Sequence, residues 1–416
     1  MPTDYFPIII LAGVVVMTAV RRIGGLRLDI WQIMLLGAVA DLAAGSISPM
    51  TALMAVNPDV MLFLFGMFVV GEALVESGYL YHLSYSVFKA AGSTDALVLL
   101  ILFVMGFFSA VLMNDTVAII GTPLVLYFAE KHNISPKLML LTLCFAVTIG
   151  SVASPIGNPQ NLLVAINGGL TGPFAVFFKH LAVPTVVNIF AAYLVLKLFF
   201  RAHFHKTPLE NSREALKDPH LASLSRVSLI LVVLLVSLKA AAISFAPAFD
   251  FRLTYIALIA AAPIIFLSPR RVRVLKGIDW RTLVFFASMF VVTDAVWSSG
   301  AAQGLLRRPG FDPASTDSIF ALSVLLSQVL SNVPFVALYL PVLTRAGGGV
   351  EGMMALSAGS TIAGNLLILG AASNVIVIQN AEKRGATLSF IDFARVGAPL
   401  TIINVAVYWG YLKIMG

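Results

Sequence analysis

The chain has 416 residues, of which 59% are hydrophobic and 11% charged, and its mean hydropathy is +0.95. A soluble domain carries about a quarter charged residues, so this composition excludes an ordinary soluble globule and leaves apolar surface to face lipid. The net charge of +7 then marks cytoplasmic loops rather than a nucleic-acid surface, and the single Cys144 excludes an intrachain disulfide and a thiolate metal site.

Apolar runs long enough for a bilayer, which takes about 20 helical residues, follow one another along the chain. They are expected near 5–21, 29–47, 60–78, 96–128, 138–166 and 174–200, and again near 226–246, 253–268, 281–299, 316–344, 353–380 and 391–415. The first run has no basic residue before it, and its pair Arg21-Arg22 comes after it. A secretory signal has the opposite polarity, so this run is expected to be a retained helix with its N-terminus outside. Between the two series lies a polar stretch at 201–225. The division expected is therefore a first repeat at 1–200, a cytoplasmic linker at 201–225 and a second repeat at 226–416.

The two series match. MLFLFGMFVVGEALVESG (61–78) lies over LVFFASMFVVTDAVWSSG (283–300) without a gap, at an offset of 222 residues. Asn114 and Pro123 match Asn332 and Pro341 at an offset of 218. Thr148, Ile149, Gly157 and Asn161 match Thr361, Ile362, Gly370 and Asn374 at an offset of 213. Ordered matches with slowly drifting offsets indicate internal duplication, which is a signature of secondary transporters. Each half is read as about five crossings, one of them broken, plus one re-entrant helical hairpin, because about 33 residues are short for two full spans. An odd number of crossings inverts the second half. With the N-terminus outside, Arg22, Arg27, Lys131, Lys137, the linker, Arg270, Arg273, Lys276, Lys383 and Arg384 fall inside. Few basic residues, among them Arg252, Arg307, Arg308 and Arg345, fall outside, as the positive-inside rule requires.

Four polar motifs interrupt these spans. They are Asn114-Asp115-Thr116, the run Ser154-Pro155-Ile156-Gly157-Asn158-Pro159-Gln160-Asn161, Ser331-Asn332-Val333-Pro334, and Gly370-Ala371-Ala372-Ser373-Asn374. Pro and Gly free backbone groups from the helical ladder, and such groups are tolerated at membrane depth only where protein or a water-filled cavity satisfies them. Broken helices also aim positive N-terminal ends at anions and carbonyl ends at cations. A packing kink explains one isolated Asn-Pro. Four motifs at repeat-equivalent positions favour a binding site formed by Asn114, Asp115, Thr116, Ser154, Gly157, Asn158, Gln160, Asn161, Ser331, Asn332, Ser373 and Asn374. Asp115 is the sharpest of them, since a carboxylate at a helix centre costs about 2.5–3.5 kcal/mol on insertion scales and is usually functional. It is expected to carry a coupling proton. Glu72 and Asp294, aligned at offset 222, are a second acidic pair, open equally to a proton-relay role and to a structural one. No Walker A, H-E-x-x-H or G-x-S-x-G sequence is present, and no nucleophile and base sit together within the apolar spans. Neither an enzyme nor a cofactor or metal site is indicated.

At the Asn-Asp-Thr tip, the Ser-Pro-Ile-Gly-Asn-Pro-Gln-Asn run and their partners Ser331-Asn332 and Ser373-Asn374, the chain resembles the ArsB/NhaD group, the arsenite permeases and sodium/proton antiporters of the ion transporter superfamily. It is also similar to the silicon-efflux, citrate and dicarboxylate anion-permease branches. The resemblance covers nearly the whole chain. It implies an all-α polytopic protein of two inverted repeats with scaffold and transport subdomains, working by alternating access as a homodimer in a bacterial or archaeal inner membrane. The sodium-coupled dicarboxylate branch carries Ser-Asn-Thr at both tips, whereas here the tips read Asn-Asp-Thr and Ser-Asn-Val. An acid at the tip suits proton coupling, or a neutral weak acid, better than a dicarboxylate. The function expected is therefore proton-coupled efflux of arsenite or a similar metalloid acid. The alternative is a sodium/proton antiporter or a sodium-coupled di- or tricarboxylate transporter. The partners expected are a small inorganic or organic anion or weak acid, H+ (alternatively Na+) and the lipid bilayer, with no nucleic acid.

Overall fold

The computed structural model describes residues 5–20, 22–23, 26–80, 82, 88, 91–204, 216–245, 252–300 and 312–415. Arg21, Arg307, Arg308 and the linker stretch 205–215 lie outside the described residues. Apart from a two-residue antiparallel ladder that pairs Arg22 with Arg27 and Ile23 with Leu26, the described regular structure is helical. The first half holds α1 (Phe6–Val20), α2 (Ile30–Ala43), α3 (Pro49–Ala55), α4 (Pro58–Glu76), α5 (Thr94–Leu112), α6 (Asn114–Lys131), α7 (Pro136–Ser151), α8 (Pro159–Asn167) and α9 (Pro173–Phe199). The second holds α10 (Pro219–Phe245), α11 (Leu253–Leu267), α12 (Arg271–Gly277), α13 (Trp280–Ser298), α14 (Thr316–Leu330), α15 (Asn332–Arg345), α16 (Val350–Ile362), α17 (Ala372–Lys383) and α18 (Phe390–Met415). This is an all-α polytopic membrane protein. By length and composition, α4, α5, α9, α13, α18 and the stretch Pro219–Lys239 of α10 are each sufficient to cross a bilayer.

Local sequence explains where these helices start and stop. The Asn57 side chain accepts from the amides of Asp59 and Val60 ahead of Pro58, which opens α4. Ser93 caps α5, Asn158 caps α8 ahead of Pro159, and Ser315 caps α14. Each side chain supplies an acceptor to an amide that the first turn leaves unpaired. One span boundary shifts. The run expected at 29–47 ends at Ala43, where Gly45 takes the left-handed conformation, and α3 starts afresh at Pro49. Within the polar stretch 201–225, Asp218 caps α10 through the amide of Leu221 and helix begins at Pro219.

The interior is built on α7 and α16. Every residue from Leu138 to Ser151 is buried, and so is every residue from Gly352 to Ile362. A helix that is apolar all round and surrounded by others behaves this way. The outer helices show lipid-type faces instead, with Phe178 72% exposed on α9 and Ile402 71% exposed on α18. Association of helices in lipid depends on close packing rather than on a hydrophobic drive. Gly106 of α5 and Gly150 of α7 meet backbone to backbone, leaving no room for a Cβ on Gly150, and Ser109 Oγ donates to the Val147 carbonyl at 2.6 Å beside them.

Helices from the two halves interleave. α2 packs on α13 and α4 on α11, α9 packs on α18, α6 on α17, and α8 on α15. These pairs place the centre of the molecule between the halves, where the four polar motifs fall.

Candidate functional site

Both runs expected to be hairpins reverse at a single residue. Met113 (φ 72°) separates α5 from α6, and Ser331 (φ 65°) separates α14 from α15. L-residues visit positive φ at a cost, and such positions gather at functional sites. The two stand at the same offset as Asn114 and Asn332. The runs expected to be broken helices are broken. Residues 152–158 separate α7 from α8, and two short 3-10 turns at Ala363–Asn365 and Ile368–Gly370 separate α16 from α17.

The first tip lies against both breaks. The Asn114 amide donates to the Gly157 carbonyl at 2.8 Å, and its side-chain Nδ2 donates to Ser373 Oγ at 3.4 Å. Its Oδ1 accepts from the Asp115 amide at 2.9 Å. Asp115 is 7% exposed, and its Oδ1 is buried without a hydrogen-bond partner. Thr116 is buried beside it. A buried acceptor left unpaired costs about 1–3 kcal/mol, and more when it is charged.

The first break is tightly laced. Asn158 Oδ1 accepts from the Asn161 amide at 2.8 Å, and its Nδ2 donates to Ser151 Oγ at 3.0 Å and to Thr361 Oγ1 at 3.2 Å. Asn161 Nδ2 reaches the carbonyls of Ser151, Val152 and Ser154 at 3.2, 3.2 and 3.0 Å. Gln160 Nε2 donates to Thr361 Oγ1 at 3.4 Å, and Thr361 Oγ1 donates in turn to Asn161 Oδ1 at 3.3 Å. Ser154 Oγ accepts from the Ile156 amide at 3.3 Å. Gly157 lies so close to the Ser151 carbonyl that any Cβ would overlap it. The second break is looser. Asn374 Nδ2 donates to the Gly364 carbonyl at 2.6 Å, but Asn374 Oδ1 and Asn332 Oδ1 are both buried without a partner.

The twelve tip and break residues therefore fall at Ser331, in the break 152–158, or in the first turns of the helices α6, α8, α15 and α17 that follow the interruptions, and direct bonds join Asn114 to Gly157 and Ser373. The acidic pair lies elsewhere. Glu72 Oε2 stands 3.5 Å from Lys383 Nζ and 3.8 Å from Arg384 Nη2, at the far end of α17 from Ser373. Asp294 is half-buried on α13, and no hydrogen bond among the described residues joins it to the four motifs. Sequence reasoning missed Thr361 as a junction between halves. It also missed a buried amide chain in which Asn365 Nδ2 donates to Asn404 Oδ1 at 2.9 Å and Asn404 Nδ2 to Asn188 Oδ1 at 2.8 Å. The signal was present, because Asn188 and Asn404 are 216 residues apart within otherwise apolar spans.

The model of the citrate transporter family, CitMHS, matches residues 13–352. The chain belongs to that family. An uncharacterised transporter of Mycobacterium bovis is 29% identical over 374 residues, covering 85% of each chain. A 46 kDa membrane protein of Mycobacterium leprae is 26% identical over 85% of each chain. The human P protein is 23% identical over 91% of this chain and 57% of its own length. Among solved structures, the Alcanivorax borkumensis YdaH transporter aligns over 99% of this chain and 96% of that one, with 15% identity and a TM-score of 0.47. As a member of the citrate transporter family, the chain is a multi-pass membrane protein with a transport role.

Proposed function

We propose that this protein is a secondary active transporter that moves a small carboxylate or weak oxyacid across the inner membrane of a bacterium or archaeon by alternating access. Citrate-type anions stand first, because the family is that of citrate transporters. The observation that carries the reading is Asp115. It lies at a hairpin tip joined to the breaks of both halves, and it keeps a buried carboxylate oxygen without a donor. Asn332 Oδ1 and Asn374 Oδ1 are in the same condition. All three atoms are acceptors, so what they lack is a donated hydrogen or a cation. Protonation of Asp115 supplies the first, and Na+ held by oxygens the second. The longest side-chain bonds at the site, at 3.4 Å, are donated by Asn114 and Gln160. Those amides are the donors most readily exchanged for substrate oxygens.

An inverted duplication supports alternating access. The helices follow the same order in each half, with α10 to α18 succeeding one another as α1 to α9 do. Left-handed residues end equivalent helices, with Gly78 after α4 and Gly300 after α13. The ion pairs fit a positive-inside arrangement: Asp59 at the start of α4 meets Arg252 at 2.9 Å, and Glu76 at its end meets Arg273 at 2.8 Å. The face bearing Arg270, Arg273, Lys383 and Arg384 is then cytoplasmic, and the N-terminus is outside. A homodimer is part of the same proposal.

Efflux of arsenite is the second reading. Asp115 favours it, because an uncharged oxyacid sits beside an ionised tip without repulsion. Uptake into everted vesicles of citrate, arsenite, silicic acid and Na+, each with and without an imposed pH gradient, separates these cases. Asp115→Asn is expected to keep substrate binding and to lose dependence on the driving gradient. Unchanged gradient dependence in that variant removes Asp115 from the coupling.

A further inference from the structure

Two of the helix pairs that join the halves begin at the polar tips and end in crevices. α6 and α17 run side by side from Asn114 and Ser373, and part-way along Asn380 Nδ2 donates to the Ile119 carbonyl at 3.1 Å. Beyond Pro123 they part around a cavity of about 660 Å³, lined by Tyr127, Glu130, Asn133 and Arg384 among others. α8 and α15 part in the same way around a cavity of about 400 Å³, lined by Leu163, Asn167, Pro341, Thr344 and Arg345 among others. Pro123 and Pro341 are 218 residues apart, as are Asn114 and Asn332. The helical run from Asn114 to Glu130 is about 24 Å long, so tip and crevice are opposite ends of one seam.

Each crevice carries one arginine. Arg384 is held in place, because its Nη1 donates to the Asn380 carbonyl at 3.2 Å and to the Asn380 side-chain oxygen. Its Nη2 stands 3.8 Å from Glu72, a carboxylate shared with Lys383. Glu130 lines the wall, and Lys131 follows it and donates to Tyr127 Oη at 2.7 Å. The charged groups around this mouth are Lys131, Lys383 and Arg384 with Glu72, Glu130 and Glu382, and the Lys137–Asp392 pair lies beside Pro136, so Arg384 is the cation of the lining itself and Glu130 its carboxylate. The other mouth has Arg345, exposed at the end of α15. A planar guanidinium fixed at a crevice wall matches a carboxylate and favours an anion over a cation in its immediate surroundings.

We propose that these two seams are the substrate's routes to the tips, one from each face, and that Arg384 and Arg345 select for anions at their mouths. This rests on the reading of the protein as a transporter of an anion or weak acid. The test uses the full chain in oriented membrane vesicles, with Ala386→Cys in the first crevice and Thr344→Cys in the second; Cys144 is fully buried and gives no background. Anionic and cationic methanethiosulfonate reagents that do not cross membranes are applied from each face. The cysteine at 386 is expected to react only from the face bearing Arg384, and faster with the anion. Adding Arg384→Gln is expected to lower the anion-to-cation rate ratio there by about ten-fold and to leave position 344 unchanged. That is the size for one unit charge near 6 Å acting on reagents of opposite sign in wet surroundings. Arg345→Gln is expected to do the converse. Labelling of either cysteine from both faces or from neither, or a ratio unmoved by the arginine, overturns the proposal. In the same vesicles, Arg384→Gln is expected to raise the KM for citrate on its own face only. If the unaltered protein takes up no citrate, the carboxylate reading fails, while the labelling still decides the routes.

Discussion

Thr361→Val and Thr148→Val make a matched pair, since the two threonines occupy equivalent positions in the halves. Thr361 Oγ1 accepts from Asn158 and Gln160 and donates to Asn161. Asn158 Nδ2 keeps Ser151 Oγ when the hydroxyl is removed, but Gln160 Nε2 and Asn161 Oδ1 each lose the one partner they have among the described residues. Two buried groups stranded at about 1–1.5 kcal/mol each give a loss of about 2–3 kcal/mol. Thr148 Oγ1 is buried with no partner, so exchanging it for a methyl strands nothing and is near neutral or stabilising. Thermal unfolding of the purified protein, followed by the loss of its monodisperse elution peak, reads the difference. One kcal/mol moves the midpoint by about 2–4 °C in a domain of about 200 residues and by less in a longer one, so Thr361→Val is expected to fall by about 5 °C. Thr148→Val is expected to stay within about 1 °C of the parent. Equal losses in the two variants would refute the idea that the first break is tied across the halves through Thr361.

Three further outcomes follow from the same contacts. Gly157→Ala drives a Cβ into the Ser151 carbonyl and displaces the acceptor of the Asn114 amide; transport is expected to be lost while Gly13→Ala, whose Cβ meets nothing within 4 Å, behaves as the parent. Asn404→Leu breaks the amide chain at its middle and strands Asn365 and Asn188, at a cost of about 2–5 kcal/mol, visible as a lowered unfolding midpoint. Lys137→Ala removes a 2.7 Å ion pair with Asp392 whose side chains are 48% and 35% exposed; the midpoint is expected to move by less than about 0.5 kcal/mol equivalent, because solvent screens such pairs.

The interruptions that frame the candidate site were legible because polar residues are conspicuous within apolar spans. Asn, Asp and Pro in the middle of apolar spans mark interruptions, and the reversals at Met113 and Ser331 and the breaks at 152–158 and 363–370 fall where those residues stand. The capping residues were written in the sequence as well, as at Asn158-Pro159. Less legible was length. The hairpin run was read as too short for two spans, yet α5 alone has 19 residues, enough to cross by length. Asp218-Pro219 is a helix start within a stretch that reads as polar, so composition alone does not mark where α10 begins. Glu72 and Asp294 were paired by alignment, but side-chain environment is not periodic: Glu72 meets two cations while Asp294 meets neither.

What alignment cannot carry is which half each bond joins. The Asn114 backbone bonds to Gly157 in its own half, while its side chain bonds to Ser373 in the other. Asn158 divides its side-chain amide between Ser151 and Thr361 in the same manner. A single half would therefore expose Asn114 Nδ2, Gln160 Nε2 and part of Asn158 with no acceptor in place. In lipid, unpaired groups of that kind are not tolerated. The pairing of the two halves thus satisfies the polar tips, since each half supplies acceptors to amides of the other, as Ser373 and Thr361 do for Asn114 and Asn158 and as the Ile119 carbonyl does for Asn380. The same interleaving brings α6 against α17 and α8 against α15, so both seams are built from one helix of each half.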